Sequence, residues 1–105
     1  MVSIIWTERA KFRMNEIYDF IAKDSEYYAE KLIKDIYYST EKLITYPEIG
    51  SILHNYPELN IRRILFKKYK VIYLFQDETI YIITVLHQAQ LVKLTIKDIK
   101  KSLED

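Results

Sequence analysis

In the first half of the chain apolar residues recur three and four positions apart, and in the second half they gather into short runs of Ile, Val, Tyr and Phe. The first spacing belongs to helix faces and the second to strands. Val2 to Trp6 is a short apolar run with β-branched residues, which predicts a strand. Thr7 follows as a candidate N-cap, with Glu8 in the first turn where negative charge suits the helix dipole. Ala10, Met14, Ile17 and Ile21 then mark one helix face, while Lys11, Arg13, Glu16 and Asp19 fall elsewhere, and the helix is expected to run to Ala22 or Lys23. Asp24 and Ser25 supply the next cap. Ala29, Leu32, Ile33, Ile36, Thr40, Leu43 and Ile44 carry the spacing onward until Pro47 stops it, so the two helices form a hairpin.

Pro47 to Leu59 holds both prolines and the only glycine, Gly50, and reads as the one loop the composition permits. Beyond it, Ile61 to Phe66, Lys70 to Gln76 and Ile80 to His87 read as strands, with polar breaks at Lys67-Lys68 and Asp77-Glu78-Thr79. Breaks this short imply antiparallel neighbours. Thr95-Ile96-Lys97-Asp98 has the form of a capping box with Asp for Glu, and Ile96, Ile99 and Leu103 are placed on one face of a last short helix. The expected fold class is α+β. An antiparallel sheet, made of a meander of three C-terminal strands plus the N-terminal strand, packs against an N-terminal helical hairpin, with the helices gathered on one side in two layers.

Composition narrows the functional classes. At 105 residues the chain supports one domain, residues 1–105, with a core of useful size. There is no cysteine, so a disulfide framework and a thiolate metal site are excluded, and a reducing cytoplasm is compatible. No segment has the apolar length of a signal peptide core or a membrane span, which predicts a soluble, cytoplasmic protein with no membrane partner. A net charge of +1 gives no global attraction to nucleic acid, so any such contact needs a local patch. No P-loop, dinucleotide glycine pattern, HExxH or acidic metal cluster occurs, and neither cofactor nor metal is expected.

Four groups of residues carry candidate chemistry. Arg62, Arg63, Lys67, Lys68 and Lys70 place positive charge together with no acid among them. A solvated edge explains them as well as a patch gripping phosphate or carboxylate does, the latter through the planar fork of arginine. His87 can take or give a proton near neutral pH, but it stands beside Gln88 and Gln90 without a second catalytic group, and its simpler reading is a strand end bonded to nearby backbone. His54, beside Asn55 and Tyr56, reads as a surface histidine. Ten tyrosines are many for this length; most are explained by core packing, whereas Tyr28 and Tyr38 fall off the apolar stripe and are expected to face a partner.

Taken in order, Ile5-Trp6-Thr7 and Ala10, a helical hairpin, Tyr46-Pro47-Glu48-Ile49-Gly50, Arg62-Arg63, Tyr69-Lys70-Val71-Ile72-Tyr73 and Val85-Leu86-His87 resemble the RelE/ParE superfamily of toxins from type II toxin-antitoxin modules. The resemblance spans about residues 2 to 90. Ala29 early in the second helix and the Pro-x-x-Gly after it look more like the ParE branch. That branch implies a growth-inhibiting toxin that acts by binding DNA gyrase and serves plasmid stabilisation. Its partner is a cognate antitoxin that packs on the hairpin and sheet, with a heterotetramer as one arrangement, and Arg62, Arg63, Tyr28 and Tyr38 would contact partners. The RelE branch implies instead an endonuclease that cuts mRNA in the ribosome. There Arg63 and Lys70 match cationic positions and His87 would be the acid-base residue, but the further basic residues and tyrosine expected after the last strand are replaced by Gln88, Ala89, Gln90 and Leu91. Cleavage at a 2′-hydroxyl needs a base, an acid and a cation, and glutamine neither neutralises phosphate nor donates a proton. The balance leans away from an enzyme. A module that binds antitoxin but has lost toxicity is the remaining alternative.

Overall fold

The computed structural model describes residues 1–54, 56 and 59–104. Asn55 and the second proline, Pro57, both within the expected loop, lie outside the described residues.

β1 (Ser3–Trp6) leads into α1 (Glu8–Ala22), α2 (Glu26–Ser39) and a single turn of helix, α3 (Lys42–Thr45). The sheet then continues through β2 (Ser51–Ile52), β3 (Ile61–Phe66), β4 (Tyr69–Gln76) and β5 (Thr79–His87), and α4 (Ile96–Glu104) closes the chain. The result is an α+β fold with one five-stranded sheet ordered β1-β5-β4-β3-β2. The meander β3-β4-β5 is antiparallel as expected, but β1 joins β5 in parallel, because the helical hairpin carries the chain back across the sheet before β3 begins.

Both predicted caps form. The Thr7 hydroxyl accepts from Ala10 N–H at 3.2 Å and donates to the Ile82 carbonyl at 2.7 Å, so one buried side chain both starts α1 and fastens it to β5. The Ser25 hydroxyl accepts from Tyr28 N–H at 3.1 Å. The periodicity that ran to Ile44 in the sequence is interrupted in the structure at Thr40. There the Ser39 and Thr40 hydroxyls bond back to the carbonyls of Ile36 and Tyr37, and the Thr40 and Glu41 amides donate three residues back, which tightens and ends the ladder. Leu43 nevertheless stays fully buried, because α3 continues on the same side.

The expected loop contains a strand that the sequence did not disclose. β2 pairs Ser51 with Arg63 and Ile52 with Arg62, and two residues are too few to show alternation. The loop's first half is pinned from the sheet. The buried Tyr73 hydroxyl donates to the Pro47 carbonyl at 2.8 Å and accepts from Gly50 N–H at 2.9 Å. A Cβ on Gly50 would lie 2.6 Å from the Arg63 carbonyl oxygen and 2.7 Å from the Tyr73 hydroxyl, so only glycine lets the backbone approach this closely.

Two apolar clusters sit on opposite faces of the sheet. Ala10, Met14, Leu32 and Ile36 from the hairpin meet Ile64, Val71, Tyr73, Ile80, Ile82 and Val85 on one face. On the other, Ile61, Ile72, Leu74 and Ile83 meet Tyr56, Leu94 and Ile99. The helices are therefore not all gathered on one side: α4 covers the face away from the hairpin. Its capping box forms as read, with Asp98 accepting from Thr95 N–H at 3.1 Å and Thr95 accepting from Asp98 N–H at 3.0 Å. Its buried line is Ile99 and Ser102, while Ile96 in the first turn remains exposed.

Candidate functional site

β3 and β4 pair Arg63 with Ile72 and Arg62 with Tyr73. Neighbouring strand residues point to opposite faces, and Tyr73 belongs to the hairpin side, so Arg62 faces that side and Arg63 the α4 side. Arg62 Nη1 donates to the carbonyls of Glu48 at 3.0 Å and Gly50 at 2.9 Å, and Nη2 approaches the Glu48 carboxylate at 3.5 Å. Its Nε is buried without a partner among the described residues. Much of this guanidinium therefore holds the Pro47–Gly50 segment against the sheet. Arg63 is exposed.

Lys70 is buried. It points to the α4 side, where its ammonium donates to the carbonyls of Gln88 at 3.4 Å and of Gln90. Arg63 and Lys70 line one cavity of about 330 Å³ together with Ile52, Leu53, His54, Tyr56, Leu91 and Val92. His54, read from the sequence as a surface residue, is exposed at its edge.

His87 lies on the opposite face. A register shift in the β4–β5 ladder pairs Ile72 with Thr84 but Tyr73 with Ile82, leaving Ile83 as the extra residue. Beyond that bulge, Val85 and His87 turn to the hairpin side, and Thr84 and Leu86 turn to the α4 side. His87 pairs with Tyr69, whose ring it meets edge-on with centroids 5.9 Å apart. Its Nδ1 accepts from Ala89 N–H at 3.2 Å, which leaves the proton of the neutral ring on Nε2. Burial pushes the Tyr69 phenol up from its ordinary value. The cavity His87 lines is shared with Arg13, Glu16, Ile17, Phe20, Tyr69, Val85 and Gln90, and contains neither Arg63 nor Lys70. The fold thus brings the two cations together and keeps the histidine from them.

The amides after β5 have structural partners. Gln88 Nε2 donates to the Lys67 carbonyl at 2.5 Å, and Gln90 Oε1 accepts from His87 N–H at 2.9 Å. With Lys70 beneath them, they shape the turn that carries the chain to α4. Among the described residues no group of three or more metal-ligating side chains occurs.

Tyr28 and Tyr38 stand out from α2 with 59% and 65% of their surface exposed. Tyr37, their neighbour, stacks at a tilt on Trp6 with centroids 4.3 Å apart and so binds α2 to β1. A third cavity, lined in part by Arg9, Arg13, Thr84 and Lys93, was not singled out from the sequence. The signal available was the four-residue spacing of Arg9 and Arg13, which puts both on one side of α1. Among the described residues no helix is long and apolar enough to cross a membrane.

Comparison with known proteins adds the family. No curated relative matches the sequence. A solved structure of the chromosomal ParDE toxin-antitoxin system from P. aeruginosa has a similar fold, with a TM-score of 0.69, 20% identity, and coverage of 83% of this chain and 96% of that one. Residues 4–92 match the family described as ParE toxin of type II toxin-antitoxin system, parDE. From the strand before Thr7 to the turn beyond His87, the chain therefore belongs to the ParE toxin family, the toxin side of a type II toxin-antitoxin system.

Proposed function

We propose that this ParE-family toxin arrests growth by binding DNA gyrase through its surface and that a cognate antitoxin neutralises it in the cytoplasm. The observation that carries this reading is the separation of the candidate chemical groups. Arg63 and Lys70 share one face, His87 lies on the other, and the Lys70 ammonium already caps two backbone carbonyls. Phosphodiester cleavage by Arg63, Lys70 and His87 would need all three around one phosphate. A binding toxin needs only surfaces, and the exposed Arg63, Tyr28 and Tyr38 supply them, with Arg62 holding the adjoining segment.

The test is a supercoiling assay with purified gyrase and purified toxin. Loss of supercoiling or accumulation of cleaved DNA in proportion to toxin is expected, and growth arrest on expression with unimpaired supercoiling would sink the gyrase target. Replacing Tyr28 and Tyr38 together by alanine is expected to weaken antitoxin binding by roughly tenfold or more, the scale of one exposed tyrosine anchor. Titration calorimetry against the antitoxin encoded beside the toxin measures it, and the same complex gives the stoichiometry, for which a heterotetramer is the expectation. Retention of a plasmid carrying the pair, against one carrying neither gene, tests the role in plasmid stabilisation.

One observation favours the ribonuclease reading, namely that Arg63 and Lys70 line a common cavity on the sheet. On that reading, transcript ends mapped shortly after induction show new cuts inside codons, and Arg63→Ala, at that cavity, abolishes them.

A further inference from the structure

Where β1 ends at its pairing of Trp6 with Ile82, the last residues of β5 run on past it, beside α1 and the segment leading to α4. A cavity of about 360 Å³ opens there, and Arg9, Arg13, Thr84, Leu86, Gln90 and Lys93 contribute to its lining. Two elements, α1 and the segment leading to α4, deliver three cations to this space. Arg9 faces Asp98 at 3.5 Å and Arg13 faces Glu16 at 3.3 Å, so the described carboxylates at hand number two against three positive groups. Thr84 is 2% exposed and contributes its side chain to the lining. A surplus of positive charge around one cavity favours a bound anion, to which the Thr84 hydroxyl can also donate.

We propose that this cavity is a binding site for a tetrahedral oxyanion of the phosphoryl type, held by Arg9, Arg13 and Lys93 with the Thr84 hydroxyl beneath it. A water molecule would accept from the hydroxyl but leave the charge. A carboxylate offers acceptors in one plane, whereas the donors here converge from a helix, a strand and a connecting segment, which suits oxygens spread in three dimensions. The Asp98 carboxylate, from the first turn of α4, competes for Arg9. The site shares none of Arg63, Lys70, His87, Tyr28 or Tyr38 and stands apart from the gyrase reading.

The experiment is a titration of the full-length ¹⁵N-labelled protein with inorganic phosphate, sulfate, acetate and chloride, followed by amide shifts. Saturable shifts centred on Arg9, Thr84 and Gln90 are expected with phosphate and sulfate, about tenfold weaker with acetate and absent with chloride. Arg13→Gln and Lys93→Gln should each weaken phosphate binding by about tenfold, the scale of one charge-assisted hydrogen bond. Asp98→Asn should strengthen it severalfold by removing the competitor while leaving an acceptor at the cap. Lys93 is exposed on the connecting segment, so its variant keeps the test valid if Arg13→Gln fails to fold. A nucleoside monophosphate binding more tightly than inorganic phosphate identifies a nucleotide as the source, and equal binding identifies the free ion. Absence of saturable shifts, acetate binding as well as phosphate, or binding indifferent to Lys93→Gln and Asp98→Asn overturns the proposal.

Discussion

Gly50 and Tyr73 are separated by 23 residues and act as one joint. The obstacle to a side chain at Gly50 includes the Arg63 carbonyl, which is part of the β3 backbone and cannot turn aside. Gly50→Ala is therefore expected to destabilise the fold by roughly 1–3 kcal/mol, the range for overpacking. Tyr73→Phe keeps the ring but leaves the Gly50 N–H and the Pro47 carbonyl without their partner, at a cost of about 1–3 kcal/mol. Urea denaturation of both single variants and the double variant measures each loss, and the double should fall short of the sum because both changes loosen the same contact. At the β4–β5 turn the sign reverses. Asp77 and Glu78 both hold positive φ, 53° and 57°, which suits a tight hairpin but strains ordinary side chains. Glu78→Gly should raise stability by about 0.5–1 kcal/mol, seen as a higher urea midpoint with unchanged slope.

At the scale of elements, the helices were legible from their three- and four-residue apolar spacing and the three long strands from their runs of Ile, Val, Tyr and Phe, and Thr7, Ser25 and Thr95 announced the caps that the structure contains. β2 was not legible, since Ser51 and Ile52 owe their strand geometry to Arg62 and Arg63 across the gap. The face of His87 was hidden too. Strict alternation along β5 would place it with Tyr81 and Ile83, and the bulge at Ile83 moves it to the side of Val85. That single irregularity separates the histidine from Lys70's cavity, and no residue pattern in the strand marks it. The side taken by α4 depends on the Gln88–Thr95 connection and on Lys70 beneath it, which a count of apolar residues does not describe. The cap of α4 carries a pH dependence of known sign. Hydrogen bonds from the Thr95 backbone, then its side chain, hold the Asp98 carboxyl below its ordinary value of 3.8, with Arg9 adding a smaller push. A carboxyl depressed in the folded state contributes stability that is complete above 3.8 and is lost as pH falls through the lower folded value. Amide exchange across residues 96–104 should accelerate on acidification in that window relative to α1, and Asp98→Ala should remove the difference.

For the whole molecule the sheet is the shared wall of two cores. The larger is closed by the hairpin and the smaller by Leu94 and α4, and the family match ends at residue 92, before α4 begins. Removing residues 95–105 leaves every hairpin contact of Val71, Tyr73, Ile80, Ile82 and Val85 in place, while it uncovers Leu74 and Ile83 from Ile99. Full burial of one isoleucine contributes about 1.5–3 kcal/mol. With the partly buried Leu103, the deletion is expected to cost on the order of 3 kcal/mol, a loss of roughly 10–20 °C in melting temperature for a domain of this size. Because β4 and β5 contribute residues to both clusters, the shortened chain should still melt in one transition, but with new binding of an apolar dye to the bared sheet face. Outright unfolding would mean instead that the hairpin-side core cannot stand without the other. If the shortened chain folds, the surfaces proposed to act on gyrase remain within residues 4–92, and expression should still arrest growth. Arrest that disappears from a chain shown to be folded would place part of the toxic surface on α4.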